Sequence, residues 1–92
     1  MSYRITYGEY IDWKSFRRLP ASDKKRIRLM IEQKLEREPA VFGKPLRSPL
    51  FGVWSLRIGD YRVIYRIIGN IVLIELIGHR ATIYSETENI FG

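Results

Sequence analysis

Between Val53 and His79 the chain carries three runs in which apolar side chains recur at every second position. Gly59-Asp60 and Gly69-Asn70 separate them. Such dipeptides between alternating runs predict three strands joined by two-residue hairpin turns. The first turn sets Ile58 opposite Tyr61, Arg57 opposite Arg62, Leu56 opposite Val63 and Trp54 opposite Tyr65. The second sets Ile67 opposite Val72, Tyr65 opposite Ile74 and Val63 opposite Leu76. Because strand side chains alternate between faces, Trp54, Leu56, Ile58, Tyr61, Val63, Tyr65, Val72, Ile74 and Leu76 are expected on one apolar face. Val53, Ser55, Arg57, Arg62, Ile64, Arg66, Leu73, Glu75, Ile77 and His79 are expected on the other. Like charges directly across a strand pair repel, so Arg57 against Arg62, with Arg66 one step along, implies a compensating anion. Glu75, expected opposite Ile64, neutralises only part of that charge.

The first half of the chain follows a longer period. Tyr3 to Tyr7 reads as a short strand, and Glu9 to Leu19 as a helix stopped by Pro20. A second helix is expected from an N-cap at Ser22, with Asp23 in its first turn and Ile27, Met30, Ile31 and Leu35 on one face. Pro39 ends that pattern, and a loop rich in Pro and Gly follows to Phe51. The expected architecture is α+β in the order β-α-α-β-β-β. A helical hairpin covers one face of a small, mainly antiparallel sheet, and the arginine face stays open.

Ninety-two residues suit one domain over 1–92 with a single core. The net charge of +6 and a pI near 9.9 favour nucleic acid, ribosomal RNA or an acidic protein as partner. The chain has no cysteine, so disulfides and thiolate zinc sites are excluded. The segment MSYRITYGEY lacks an apolar signal region, and no apolar run approaches bilayer length. A cytoplasmic protein is expected.

The order of elements, with KPLR, then GVWSLRIGDYRVIYRI, then GHRATIY, closely resembles the RelE/ParE superfamily of bacterial and archaeal toxins. The resemblance spans nearly the whole chain. It implies a compact α+β fold whose curved sheet carries the active face, and a toxin–antitoxin hetero-oligomer. RelE-like members cut mRNA in the ribosomal A site and are silenced by a cognate antitoxin; ParE-like members poison DNA gyrase. The resemblance therefore implies a metal-independent, ribosome-dependent endoribonuclease without cofactor. The alternatives are a gyrase poison, or an inactive member acting as a binding module.

Cleavage through the 2′-hydroxyl needs that hydroxyl deprotonated, the phosphorane charge stabilised and the 5′-oxygen protonated. The resemblance assigns Arg62 to the scissile phosphate, Arg80 to the leaving group or the transition-state charge, and Tyr84 to orienting the base or the 2′-hydroxyl. Arg57 shares the face of Arg62 and supplies a second charged contact. His79 ordinarily titrates near neutrality and is a candidate acid or base; the alternative is a structural histidine. Lys44, Arg47 and Ser55 are candidate RNA contacts, and Arg66 is a fringe contact or a partner of Glu75. The chain departs from RelE-like members where they carry lysines, since that strand face here presents Val53 and Ser55. The acidic tail from Ser85 to Gly92 is expected in the region an antitoxin grips, with acidic antitoxin residues shielding Arg57, Arg62 and Arg80.

Overall fold

A computed structural model describes residues 2–92, so Met1 of the expected 1–92 domain lies outside the described residues. Strand β1 (Arg4–Tyr7) is followed by α1 (Trp13–Arg17) and α2 (Ala21–Met30), which widens into a π-helical turn over Ile31–Leu35. Then come α3 (Pro39–Phe42), β2 (Lys44–Pro45), β3 (Trp54–Ile58), β4 (Tyr61–Ile68), β5 (Ile71–His79) and α4 (Ile83–Phe91). The five strands form one open sheet in the order β1-β5-β4-β3-β2. β1 runs parallel to β5, and every other pair is antiparallel.

The helices differ in extent from the sequence expectation, for local reasons. α1 begins only at Trp13, because Asp12 caps it: its carboxylate accepts the Ser15 backbone N–H at 3.1 Å and the Ser15 hydroxyl at 2.7 Å. Those two hydrogen bonds hold the Asp12 carboxyl below the usual carboxylate range. α2 starts at Ala21 behind Pro20 rather than from Ser22, which falls inside its first turn. Pro39 does end the preceding helical run, whose last helical bond is Glu38 N–H to Lys34 O at 2.9 Å, and it also starts α3, where a missing N–H is harmless.

The β3–β4 pairing is the expected one, with Trp54 opposite Tyr65, Leu56 opposite Val63, Arg57 opposite Arg62 and Ile58 opposite Tyr61. Gly59 and Gly69 each take φ of 59°, and among the described residues no non-glycine residue has positive φ. That pattern fits turns whose first central residue alone is left-handed, which glycine adopts without strain.

The β4–β5 ladder departs from expectation at one place. Tyr65 pairs with Ile74 as predicted, but Ile64 pairs with Leu76 and Val63 with Ile77, so Glu75 is an extra residue in β5. A bulge of one residue reverses the faces beyond it. Leu76 therefore leaves the helix-covered face, while Ile77 and His79 join it. The main core unites Ile27, Ile31 and Leu35 of the α2 region with Leu56, Ile58, Val63, Tyr65, Val72 and Ile74 of the sheet, and Ile77 packs against it. A second core of Val53, Ile64, Leu76 and Ile83 lies on the opposite face, with Leu46 and Phe91 beside it. The segment read as a tail is thus α4, which packs Ile83 and the buried Thr87 against the sheet and covers part of the face expected to be open.

Candidate functional site

On the partly covered face a cleft of about 430 Å³ runs between the sheet and the α3–β2 segment. Its lining comprises Phe42, Lys44, Pro45, Leu46, Arg47, Ser55, Arg57, Arg62 and Tyr84. Three arginines and one lysine contribute four positive charges, and no carboxylate or imidazole is in the lining. Of the nine residues singled out from the sequence, six converge here: Lys44, Arg47, Ser55, Arg57, Arg62 and Tyr84.

The elements explain the convergence. Register sets Arg57 and Arg62 opposite one another on β3 and β4, with both Cβ atoms on the cleft side. Their repulsion is eased locally: Arg62 Nη1 donates to the carbonyls of Gly59 at 2.9 Å and Tyr61 at 2.8 Å. Arg57 is exposed, and among the described residues it makes no ion pair or side-chain hydrogen bond. Lys44 enters because β2 pairs with β3, opposite Ser55. Tyr84, in the first turn of α4, shares a hydrogen bond of 3.1 Å between its hydroxyl and that of the buried Ser55. The serine at this position of the strand therefore has a role of its own: it fixes the phenol over the cleft.

Three predicted residues lie elsewhere. Arg66 Nε donates to Glu75 Oε2 at 2.7 Å in an ion pair whose carboxylate is almost wholly buried. That pair occupies Arg66 with a structural partner at the bulge. Arg80 follows β5 and is tied to the β3–β4 turn: its backbone N–H donates to Asp60 O at 2.8 Å, and its Nε lies 3.6 Å from Asp60 Oδ1. It adjoins the turn whose carbonyls hold Arg62 without lining the cleft. His79 is a correction to the sequence expectation, because the bulge places it on the helix side. There its ring meets Tyr61 edge-on at 5.9 Å, and its Nδ1 accepts the Ala81 N–H at 3.0 Å. The neighbours of His79 in a small side cavity include Asp12, Phe16, Leu19 and Glu86, none of which touches the arginine cleft.

Sequence reasoning missed two participants. Phe42 lines the cleft as an exposed aromatic, and the only hint was its place directly before Gly43-Lys44. Asp60 was read as a turn residue alone, although its carboxylate and carbonyl both engage Arg80. Among the described residues no helix is long and apolar enough to cross a membrane.

Comparison with known proteins agrees with this fold. The family model for the ParE toxin of the type II toxin–antitoxin system parDE matches residues 9–84. Toxin RelG of Mycobacterium tuberculosis strain H37Rv is 50% identical over 52 residues, covering 54% of this chain and 60% of that toxin, less than two thirds of its length. Among solved structures, the toxin–antitoxin complex RelBE2 from Mycobacterium tuberculosis matches at a TM-score of 0.78 and 32% identity, over 88% of this chain and 94% of that one. The archaeal RelE–RelB complex from Pyrococcus horikoshii OT3 matches at a TM-score of 0.65 and 26% identity, over 87% and 97% of the two chains.

Proposed function

The chain belongs to the ParE toxin family of type II toxin–antitoxin systems, and from that premise we propose that it is a ribosome-dependent mRNA endoribonuclease restrained by a cognate antitoxin. The observation that carries the reading is the cleft itself, where paired arginines flank a tyrosine hydroxyl that a buried serine holds in place. A pentacoordinate phosphorane gathers negative charge on its non-bridging oxygens. Guanidinium groups fixed in advance stabilise that charge most where water is partly excluded. Arg62 is half-buried and held by two carbonyls, so little reorganisation is needed when phosphate arrives. Arg57, across the ladder, supplies the second contact, and Lys44 with Arg47 hold flanking phosphates. Tyr84 is placed to orient the 2′-hydroxyl, and Arg80 acts from beside the turn. The proton transfers fall to Tyr84 and the cationic groups rather than to His79, which faces the helices. The cationic cleft favours acidic antitoxin side chains as its cover, and the toxin–antitoxin pairs among the structural relatives support the existence of such a partner.

A second reading, poisoning of DNA gyrase, is favoured by the ParE family model and by a cleft lining without carboxylate or imidazole. One experiment separates them: induced expression with primer extension on a reporter mRNA, and plasmid supercoiling measured in the same cells. Cuts within translated codons that disappear in Arg62→Ala and Arg80→Ala support the ribonuclease. Growth arrest with intact mRNA and altered supercoiling supports the gyrase reading, and neither effect points to an inactive binding module. Arg62→Ala also removes two hydrogen bonds from the turn, so its melting temperature is measured alongside. Arg57→Ala, whose side chain has no such bonds, serves as the control for charge in the cleft.

A further inference from the structure

The cleft has two chemically different walls. The central strands β3 and β4 contribute Ser55, Arg57 and Arg62, whereas α3 contributes Phe42 and the segment from edge strand β2 onward contributes Pro45 and Leu46, flanked by Lys44 and Arg47. One wall suits phosphates and the other suits a flat apolar surface. Phe42 is 47% exposed although it lines this cavity, so its ring is presented rather than packed away.

The backbone that carries the ring is also held in place. α3 has only four residues, but its first, Pro39, is buried, and the Pro39 carbonyl accepts the hydroxyl of the fully buried Tyr65 at 2.6 Å. Gly43, directly after Phe42, lies against the same Tyr65 hydroxyl so closely that any side chain there would overlap it. A single buried phenol thus pins the backbone on both sides of Phe42. The Lys34 ammonium sits 5.4 Å from the ring centroid, a cation–π contact that favours the observed ring position.

We propose that Phe42 is the stacking platform of a nucleobase subsite, which takes a base next to the phosphate held by Arg57 and Arg62. The proposal rests on the ribonuclease reading and deepens it by naming how the RNA is gripped. Proteins that bind single-stranded nucleic acid pair a cationic groove for the backbone with an aromatic face for a base. Here both lie in one cavity, and the backbone under the aromatic is anchored on both sides, so less ordering of the segment is needed on binding.

The test uses the full chain and ribosomes programmed with an mRNA that carries one abasic nucleotide at each A-site position in turn. With wild-type toxin, an abasic nucleotide at one position lowers the single-turnover cleavage rate roughly tenfold to hundredfold, the range expected when a base loses an aromatic partner. Phe42→Ala shows a loss of the same size on intact mRNA and no further loss on that abasic mRNA, while Phe42→Trp retains cleavage. Because the ring is half-exposed, thermal melts of Phe42→Ala stay close to wild type and exclude misfolding. Full cleavage by Phe42→Ala, or abasic sensitivity undiminished in it, overturns the proposal. So does a variant that cleaves normally and loses only antitoxin affinity, which makes the ring a protein contact. If wild type leaves mRNA intact, the ribonuclease reading falls. The affinity of a single-stranded RNA trinucleotide for the two proteins then decides the subsite separately, and equal affinities overturn it.

Discussion

Tyr65 links the core to the cleft, and its replacement by phenylalanine gives a prediction with a size. The Tyr65 ring is fully buried, and its hydroxyl donates to Pro39 O at 2.6 Å, where Pro39 is buried as well. Tyr65→Phe removes one oxygen, leaves the ring in place, and strands a carbonyl away from water. An unsatisfied buried acceptor costs about 1–3 kcal/mol. Taking the middle of that range, a domain of this size loses roughly 8–16 °C in melting temperature, at about 4–8 °C per kcal/mol. Gly43→Ala approaches the same place from the other side. Its methyl overlaps the Tyr65 hydroxyl and lies 2.7 Å from Cζ, so ring or backbone must shift. Overpacking of this kind costs about 1–3 kcal/mol. Deleting the hydroxyl relieves the nearest of those overlaps, so the double variant is less destabilised than the sum of the singles. The expected coupling is about 0.5–3 kcal/mol, as for directly contacting residues. Urea and thermal unfolding followed by circular dichroism measure all four proteins. A Tyr65→Phe protein within about 0.5 kcal/mol of wild type, or strictly additive singles, would refute the idea that this phenol anchors α3.

Three further expectations follow from the same structure. Burial holds the Tyr65 phenol well above its ordinary range, and Tyr7 and Tyr61 are raised in the same direction, chiefly by desolvation. A raised folded-state pKa gives stability that is complete below the unfolded value of about 10 and lost above it. The Tyr65 contribution to the unfolding free energy is therefore level up to about pH 10 and then falls by about 1.4 kcal/mol per pH unit, a slope that denaturant titrations find reduced in Tyr65→Phe. Ser55→Ala frees the Tyr84 hydroxyl and lowers the single-turnover cleavage rate about two- to tenfold with RNA affinity unchanged, the range of one net hydrogen bond; an unaltered rate shows that Ser55 does not orient the phenol. Ile83→Ala opens a cavity in the second core and costs about 2–5 kcal/mol in chemical denaturation, whereas a dispensable tail tolerates it.

What could be read from the sequence was whatever depended on neighbours along the chain. The β3–β4 register, and with it the opposition of Arg57 and Arg62, follows from one glycine turn and a period of two. What could not be read depended on contacts between distant segments. Glu75 looked like one more outward position in an alternating strand. It becomes a bulge because its carboxylate is satisfied by Arg66 and lies beside the Gly8 backbone, while Leu76 is taken into a second core. Pro39 was read only as the end of one helix; that it also starts another depends on a contact of its carbonyl with the Tyr65 hydroxyl, 26 residues away.

These misses share a cause, and it bears on the site. If β5 ran without a bulge, Leu76 would lie under the helical hairpin and His79 would stand among the arginines. The extra residue instead turns Leu76 toward Ile64 and Val53, which creates an apolar patch beside the arginine cluster. That patch requires a cover, and Ile83 with Phe91 at a spacing of eight residues supplies it, so the acidic tail becomes a helix. Docking α4 there brings Tyr84, the residue after Ile83, over Ser55 and completes the cleft. The bulge thus removes the only imidazole from the arginine face and installs a tyrosine in the cleft. For this chain the candidate chemistry rests on guanidinium groups and a phenol, a consequence of one unpaired residue in β5.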